Sequence, residues 1–378
     1  MRENQIGIVG GGQLGRMLTD AAKPMGFEVT VIDPTEPPCP AAQAGAEQIV
    51  AGLHDDEALD QLVRQSAVTT WEIEHIGSRK LKELQSLGLG GDIQPSPRSL
   101  EIINDKLSQK EFLSKHGIPV VAYRDIREPA HLASAIEEMG PVIVKSRFGG
   151  YDGRGNLELS EPDWTKVIAR FDVMPQVYAE QKIDFDKELS VLVARDKLDN
   201  MRVYPTIETI QSDGQCNIAV APARIESELA RQAELLALDS VYYLDGAGVF
   251  AVEMFLTADG RILVNEIAPR VHNSGHWTIE GSKTSQFEQH VRAITGLPLG
   301  STEMLAPAAA MINILGERDG PVNLTGRHEV LGIEDAHLHV YGKAPTKAAR
   351  KMGHITVRAS SPDKAIELAI EARKELSI

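Results

Sequence analysis

Short apolar runs alternate with helically spaced segments at the start of the chain. Residues 6–9 form an apolar run typical of a buried strand, residues 13–25 place apolar side chains at helical spacing, and residues 28–32 form a second apolar run. Each segment is followed within two residues by glycine or proline, which end regular elements. The order strand, helix, strand predicts a βαβ unit.

The turn between the first strand and the helix carries the pattern GxGxxG. Its glycines are Gly10, Gly12 and Gly15, and the acidic residue Asp33 follows the second strand. This spacing is typical of dinucleotide-binding proteins. Its physical content is narrower, because glycines let the backbone approach any anion and a helix N-terminus offers free N–H groups. Three interpretations stay open: the turn binds a nicotinamide cofactor, it binds a phosphate-bearing substrate, or it binds no ligand.

The rest of the chain divides into two further units. Pro95 and Pro97 interrupt either periodicity, so the first unit is expected to end near residue 98. A helical run follows at residues 99–116, and a strand at residues 141–145 leads into a glycine-rich loop. Further strands are predicted at residues 176–180, 187–195, 308–315, 337–341 and 353–357, before a final helix. The expected fold class is α/β and α+β, with units at residues 1–98, 99–300 and 301–378.

Residues 248–268 predict a β-hairpin, because an Asp-Gly pair separates two apolar runs. A two-residue loop flanked by Ala258 and Arg261 sets the register of the two strands. In that register Glu253 lies directly opposite Glu266. Facing carboxylates have Cβ atoms about 4.5–5.5 Å apart and repel each other.

Such a carboxylate pair needs a cation, because apolar neighbours on the same face keep water from screening it. Mg²⁺ suits the pair, since it binds one or two carboxylates and completes its octahedron with water and phosphate oxygens. Asn265 points to the other face of an ideal strand, so only a bulge or a strand end would include it. The apolar neighbours expected on the carboxylate face are Ala251, Phe255, Val264 and Ala268.

Cationic and hydrogen-bonding residues accompany the carboxylate pair. Phosphate chemistry relies on charge neutralisation, and the sequence offers Lys106, Lys145 at a strand end, and Arg154 in the glycine loop. The run at residues 269–277 holds Arg270, His272 and Asn273, whose donors fit a small carboxylate or bicarbonate. A zinc site at His272 and His276 is an alternative, although no cysteine or acidic residue in the run completes it.

Composition excludes several classes of protein. The 378 residues carry a net charge of −15 and no Lys/Arg-rich run, which argues against nucleic-acid or anionic-lipid partners. No apolar stretch is long enough to span a membrane, and the first residues do not predict a signal peptide. Two cysteines cannot build a disulfide framework. A cytoplasmic protein is expected.

Four segments together resemble the signatures of the ATP-grasp superfamily, and more closely those of its N5-carboxyaminoimidazole ribonucleotide synthase family of purine biosynthesis. They are residues 10–17, 149–155, 265–278 and 350–354. The third is highly specific, whereas the first alone is weak. The resemblance covers nearly the whole chain and implies an ATP-grasp fold with an N-terminal Rossmann-like domain, a lid at about residues 115–180 and a small β-rich C-terminal domain.

The resemblance also implies an activity. ATP would phosphorylate bicarbonate to carboxyphosphate, and the exocyclic amine of 5-aminoimidazole ribonucleotide would take the carboxyl group, directly or through CO₂. ATP and Mg²⁺ are the implied cofactors and a homodimer the implied assembly. This assignment gives the glycine turn to the ribonucleotide phosphate and removes the need for NAD.

The roles carried over from the family fall into four groups. Residues implied in ATP binding are Lys106, Lys145, Gly150, Tyr151, Asp152, Gly153, Arg154, Gly155, Asn156, Glu180, Gln181, Lys182, Ile183, Glu188, Gln211, Asn265 and Glu266. Residues implied in ribonucleotide binding are Gly12, Gln13, Leu14, Glu72, Glu74, Tyr151, Arg350 and Lys351. Residues implied in catalysis are Asp152, Arg270, His272, Asn273 and Lys351, and the implied metal ligands are Glu253 and Glu266.

Three positions depart from the family pattern, and other functions remain possible. Residues 346–349 replace the usual Arg-Pro-Gly before Arg-Lys, Gln211 replaces a frequent histidine, and Asn156 replaces a usual glutamine. The alternatives are a formate-dependent glycinamide ribonucleotide transformylase, an NAD-dependent oxidoreductase with structural carboxylates, and an inactive ATP-binding regulator.

Overall fold

The first unit is built on a parallel sheet. The computed structural model describes residues 3–149, 155–171, 176–212 and 214–378. The elements of the first unit are β1 (Gln5–Val9), α1 (Gln13–Ala22), β2 (Glu28–Ile32), α2 (Pro40–Gln43), β3 (Glu47–Ile49), α3 (Asp56–Gln65), β4 (Val68–Trp71), α4 (Ser78–Ser86) and β5 (Asp92–Ile93). In the described part of the chain these five strands pair in parallel in the order β3-β2-β1-β4-β5. The predicted βαβ unit is confirmed.

The first helix differs from its prediction only at its end. The segment predicted as helix over residues 13–25 is α-helical to Ala22 and continues as a 3₁₀ turn over Lys23–Met25. Pro24 has no N–H for the α-helical pattern, and Gly26 ends the turn with a φ of 86°. Every residue of β1 is buried, as expected for a strand covered on both faces.

A connecting pair of helices leads into a small antiparallel sheet. The elements are α5 (Pro97–Asn104), α6 (Lys106–Lys115), β6 (Tyr123–Ile126), α7 (Pro129–Met139), β7 (Val142–Ser146), β8 (Asn156–Leu159), α8 (Trp164–Phe171) and β9 (Val177–Gln181). The strands pair in the order β6-β9-β7-β8. The single helix expected at residues 99–116 is broken at Asp105, whose carboxylate accepts the N–H groups of Leu107 and Ser108 and starts α6 as an N-cap.

One large sheet joins the second unit to the third. The strands of this sheet and the helices between and after them are β10 (Phe185–Arg195), β11 (Met201–Val203), β12 (Ile207–Ser212), β13 (Gln215–Ala221), α9 (Ser227–Tyr242), β14 (Gly248–Thr257), β15 (Ile262–Ala268), α10 (Thr278–Gly281), α11 (Gln286–Thr295), β16 (Ala308–Leu315), α12 (Arg327–Leu331), β17 (Ala336–Val340), β18 (Lys351–Ala359) and α13 (Pro362–Lys374). Within the described residues the order is β15-β14-β10-β12-β13-β16-β18-β17, with β11 beside β10. None of the described helices is long and apolar enough to cross a bilayer.

The β14–β15 hairpin reaches the predicted register by a different route. Thr257 N donates to the Arg261 carbonyl at 3.0 Å, so the loop has three residues rather than the two expected, with Gly260 at a φ of 81°. The register then shifts by one, because Met254 pairs with Val264 while Glu253 pairs with Glu266.

Asn265 is the extra residue of this bulge. Without it Glu253 would face the wrong position, so the bulge restores the opposition of the two glutamates. The expectation that Val264 lies on the carboxylate face is wrong: Val264 is fully buried with Met254 in the core on the opposite face.

Tight backbone contacts fix the first unit on the large sheet. The Gln94 side chain accepts the Ala247 N–H at 2.6 Å, and Ser99 exchanges hydrogen bonds with the backbone of Asp245. Between them Gly246 has a φ of 99°, and a Cβ added there would lie 2.2 Å from the backbone nitrogen of Ser96. Only glycine fits this junction.

Replacement of Gly246 by alanine should therefore destabilise the fold by about 3 kcal/mol or more. Gly260 is the matched control, since its φ of 81° is similar but no atom lies within 4 Å of an added Cβ. Gly260→Ala should cost only the left-handed strain, about 1 kcal/mol. The unfolding midpoints of both variants in urea test the difference. Equal losses would contradict the close approach at the junction.

Candidate active site

The two facing glutamates have different partners. Glu266 Oε2 lies 2.5 Å from Nζ of Lys106, the first residue of α6. Glu253 Oε1 lies 3.5 Å from Nε2 of His272. Next to them on β10, Ser190 pairs with Glu253 and therefore shares its face of the sheet. The carboxylates, a lysine and a histidine meet at one end of the large sheet.

This arrangement drives the two carboxyl pKa values apart. Burial, with the charges of Glu266 and Glu188, raises the pKa of Glu253. Burial acts in the same direction on Glu266, but Lys106 overcomes it and the pKa of Glu266 falls. Two like charges at such short range cannot both be stabilised without a cation.

The pair fits a hard divalent cation. Two carboxylates on a rigid hairpin supply oxygen ligands, and phosphate oxygens or water can complete an octahedron. Among the described residues no group of three or more His, Cys, Asp or Glu side chains could hold a metal. The zinc alternative gains no support either, because Nδ1 of His272 bonds Ser274 whereas Nδ1 of His276 bonds Gln286.

Lys145 and Glu180 bring the small sheet to the same site. Lys145 Nζ lies 2.5 Å from Glu180 Oε2. The predicted adenine contact runs through the backbone at residues 180–183, where the N–H groups of Gln181 and Lys182 already bond Ala122 and Pro141. Of the backbone groups predicted to contact adenine, the Ile183 N–H and the neighbouring carbonyls are therefore the candidates that remain.

The remaining residues predicted to bind ATP differ in where the structure places them. The Gln211 amide donates to the Glu188 carboxylate, so two side chains predicted for the nucleotide meet directly. The Asn156 backbone pairs with Lys145 in the β7–β8 ladder, and the Gly155 carbonyl accepts the Ser146 N–H at 3.1 Å. The Lys182 ammonium bonds an exposed glutamate instead of facing the site. The predicted residues Gly150, Tyr151, Asp152, Gly153 and Arg154 lie outside the described residues.

The loop after β15 holds a neutral histidine. The Ser274 N–H donates to Nδ1 of His272, so the ring proton is on Nε2, the atom that faces Glu253. Burial, together with Arg270 and Lys351, lowers the pKa of His272 to about 3. The Ser274 hydroxyl also bonds His272 and Ser190, which fixes the ring.

The other two residues predicted in this loop differ in what they contact. Arg270 Nη2 lies 2.8 Å from Glu74 Oε1, which links the loop to the first unit. Asn273, predicted to cradle bicarbonate, contacts another part of the chain. Its amide exchanges two hydrogen bonds with Asn313, at 3.0 and 2.7 Å, so its role at the site stays a prediction.

The chain's own carboxylates occupy the glycine turn. Glu72 accepts the N–H groups of Gly12 and Gly15, both at 2.5 Å, and Asp33 accepts that of Gly11 at 2.9 Å. A dinucleotide pyrophosphate would need these donors. The NAD interpretation is therefore disfavoured. Glu72 closes the turn, and its contact with the ribonucleotide stays a prediction.

A cavity of about 520 Å³ lies beside the glycine turn. Gln13 and Leu14 are the first residues of α1 and their N–H groups are not bonded elsewhere in the described residues. The Leu14 side chain is in the core, so only its backbone can contribute. Gly12, Gln13 and Arg350 line the cavity together, as does Lys343.

Lys343 is a functional candidate that the sequence does not predict. Its ammonium donates to the Lys351 carbonyl at 2.9 Å. Burial, with Arg350 and Lys351 nearby, lowers its pKa to about 8. A single lysine in a loop has no sequence signal. The same applies to Lys110, which lies fully buried beside Glu180.

Family models divide the chain into three segments. The ribonucleotide synthetase preATP-grasp domain matches residues 3–104, the ATP-grasp domain matches residues 111–287, and the phosphoribosylaminoimidazole carboxylase C-terminal domain matches residues 309–368. The expected ATP-grasp architecture, with its Rossmann-like and C-terminal domains, is confirmed.

The solved structures and curated proteins that resemble this chain include several N5-carboxyaminoimidazole ribonucleotide synthases. The N5-carboxyaminoimidazole ribonucleotide synthetase of Thermotoga maritima is 47% identical, with a TM-score of 0.89 over 99% of both chains. The Aspergillus clavatus synthase, solved with ADP and 5-aminoimidazole ribonucleotide, is 38% identical, with a TM-score of 0.89 over 98% of both chains. The Brucella melitensis N5-carboxyaminoimidazole ribonucleotide synthase is 38% identical over 93% of this chain and 95% of its own.

Some relatives are longer than this chain. The chain spans 66% and 67% of the two phosphoribosylaminoimidazole carboxylases from Schizosaccharomyces pombe and Ogataea methanolica that it matches. The match to the bacterial synthase covers almost all of both proteins. The chain belongs to the N5-carboxyaminoimidazole ribonucleotide synthase family of ATP-grasp enzymes.

Proposed function

We propose that this chain carboxylates 5-aminoimidazole ribonucleotide at its exocyclic amine, using ATP and bicarbonate, to give N5-carboxyaminoimidazole ribonucleotide for purine biosynthesis. The observation that carries the proposal is the loop at residues 269–277. We call the part of the site around Glu253, Glu266, Lys106 and Lys145 the nucleotide half, and the part around the glycine turn and Glu74 the glycine-turn half. The loop contacts the first through His272 and Glu253, and the second through Arg270 and Glu74. A carboxyl group activated in one half would reach an amine held in the other without leaving the cleft.

The nucleotide half supplies positioning and charge. Lys106 and Lys145 each contact a carboxylate and have part of their surface exposed, 25% and 13%. Phosphoryl transfer needs charge neutralised around the transferred group and little else from the protein. Mg²⁺ bound by Glu253 and Glu266 would neutralise phosphate charge. These residues would hold the γ-phosphate of ATP against bicarbonate.

The loop at residues 269–277 would then bind the carboxyphosphate. Arg270 offers a planar fork for a carboxylate, and the His272 N–H at Nε2 adds a donor beside it. Because its pKa is about 3, His272 stays neutral at pH 7 and serves as a hydrogen-bond donor rather than as a cation. The ribonucleotide phosphate would sit at the Gln13 and Leu14 N–H groups beside Lys343 and Arg350.

The proposal includes further features of the protein. It places domain boundaries at residues 98 and 300, and it includes the homodimer that the family resemblance implies. A cytoplasmic location accords with the two cysteines, Cys39 and Cys216, which form no disulfide with each other. Asp152, Tyr151 and Lys351 are retained as candidates for contact with the ribonucleotide.

The alternatives fit less well. A formate-dependent glycinamide ribonucleotide transformylase would share the nucleotide half, but the C-terminal segment matches a carboxylase domain. An oxidoreductase would need the donors that Glu72 and Asp33 occupy. An inactive regulator would have no reason to keep two repelling carboxylates together.

The direct test is ADP release with Mg-ATP and bicarbonate. Addition of 5-aminoimidazole ribonucleotide should stimulate release and consume the amine in equal amount. Formate with glycinamide ribonucleotide is the matched control and should give no stimulation. Stimulation by the control pair alone would assign the chain to the transformylase.

Glu253→Gln should separate stability from activity. Removal of one of two facing carboxylates relieves their repulsion, so the urea midpoint should equal or exceed that of the wild type. ADP release should fall at least about tenfold, because the metal loses a ligand. Glu303→Gln, an exposed glutamate paired with Lys283, is the control and should leave activity unchanged. Normal turnover in Glu253→Gln would contradict the metal assignment.

Binding of the ribonucleotide should weaken at alkaline pH. The free enzyme loses the Lys343 proton near pH 8, because burial lowers that pKa. The protonated fraction falls about tenfold between pH 7 and pH 9, and the affinity should fall with it. The ligand phosphate stays ionised over this range. Calorimetry at both pH values tests this. Lys343→Arg should flatten the dependence, and an unchanged slope in that variant would exclude Lys343.

A further inference from the structure

Lys110 is a buried lysine to which the proposed reaction assigns no role. Its side chain is 2% exposed, and its Nζ lies 3.0 Å from Glu180 Oε1. It also donates to the Val264 carbonyl at 3.3 Å. Burial of an ammonium group is costly unless the group is paired and hydrogen-bonded, and these two contacts offset that cost for Lys110.

Lys110 and Lys145 share one carboxylate. Lys110 contacts Oε1 of Glu180 and Lys145 contacts Oε2, while the Tyr178 hydroxyl also bonds Oε1 at 2.9 Å. Burial lowers the pKa of Lys110 and the Glu180 charge opposes this. The two lysines hold the pKa of Glu180 at about 2 although burial would raise it. Glu180 is an anion between two cations.

The charge of this cluster matters for an anionic ligand. Two ammonium groups and one carboxylate leave a single positive charge in excess. The exposed fraction is 2% for Lys110, 3% for Glu180 and 13% for Lys145, so Lys145 alone can present that charge to the cleft. Without Lys110, Lys145 would be the counterion of a buried carboxylate and the cluster would be neutral.

The same helix clamps the edge strand that carries the metal ligand. β15 is the edge of the large sheet. Lys110 binds the carbonyl of Val264 on one side of the bulge, and the Gln109 amide binds the N–H and carbonyl of Ile267 on the other. Glu266 lies between these two anchors.

We propose that Lys110 is a positioning residue: by neutralising Glu180 and holding the edge of β15, it leaves the positive charge of Lys145 available to nucleotide phosphates beside Glu266. The inference rests on the proposed function, which places the phosphates at Lys145.

Lys110→Met removes the charge and keeps the volume, and Lys110→Gln removes the charge but keeps a donor for Glu180. Calorimetry should find the Kd for Mg-ATP raised about ten- to a hundredfold in both variants, the range for losing one interaction with a charged group. The Kd for adenosine, which has no phosphates, should stay within about twofold. Lys115→Met, an exposed lysine on the same helix, is the matched control and should bind both ligands normally.

The rescue variant distinguishes charge from packing. Lys110→Met combined with Glu180→Gln returns the cluster to one positive charge and should restore Mg-ATP affinity toward the wild-type value. Mg-ATP affinity unchanged in the single variants would overturn the inference. So would an equal loss of adenosine affinity, or a double variant weaker than Lys110→Met. If the wild type itself does not bind Mg-ATP, the proposed function fails instead.

Discussion

The repulsion between Glu253 and Glu266 is the constraint on which the rest of the site depends. Two carboxylates facing each other on a half-buried sheet are unfavourable unless something cationic or hydrogen-bonding lies beside each one. The chain supplies these partners from separate elements. The start of α6 brings Lys106 to Glu266, and the loop after β15 brings His272 to Glu253. Helix α6 and this loop are thus the elements that hold the pair.

The same rule explains how a chain with a net charge of −15 would bind the three anions of the proposed reaction. Several cations of the cleft are held by carboxylates of the chain, as Lys145 is by Glu180 and Arg270 by Glu74, whereas Lys343 is held by the Lys351 carbonyl. Such internal pairs keep long side chains in place before a ligand arrives and so reduce the entropy that binding would otherwise cost. Global charge and local charge are thus independent, and only the local arrangement selects the ligand.

Sequence reasoning succeeded where the signal is local or periodic and failed where distant elements meet. The opposition of the two glutamates was predicted correctly from an incorrect loop length, because Gly260 serves a three-residue loop as well as a two-residue one, and the bulge at Asn265 offset the error. No local pattern reveals a bulge. Lys110 and Lys343 could not be found either, since a lone lysine becomes informative only when the fold brings Glu180 or Gln13 beside it.

The glycine turn shows why a motif specifies a fold before it specifies a ligand. GxGxxG requires only that a strand turn tightly into a helix and that the exposed N–H groups find an anion. Here Glu72, sixty positions beyond Gly12, is that anion. Its carboxylate stabilises the turn that a pyrophosphate stabilises in dinucleotide-binding proteins, so the turn survives without a dinucleotide. Among the described residues, the N–H groups of Gln13 and Leu14 are the donors left at the turn, and they would suit the single phosphate of the proposed substrate. Which donors the chain leaves unoccupied is decided by distant residues such as Glu72, so the motif alone does not fix the ligand.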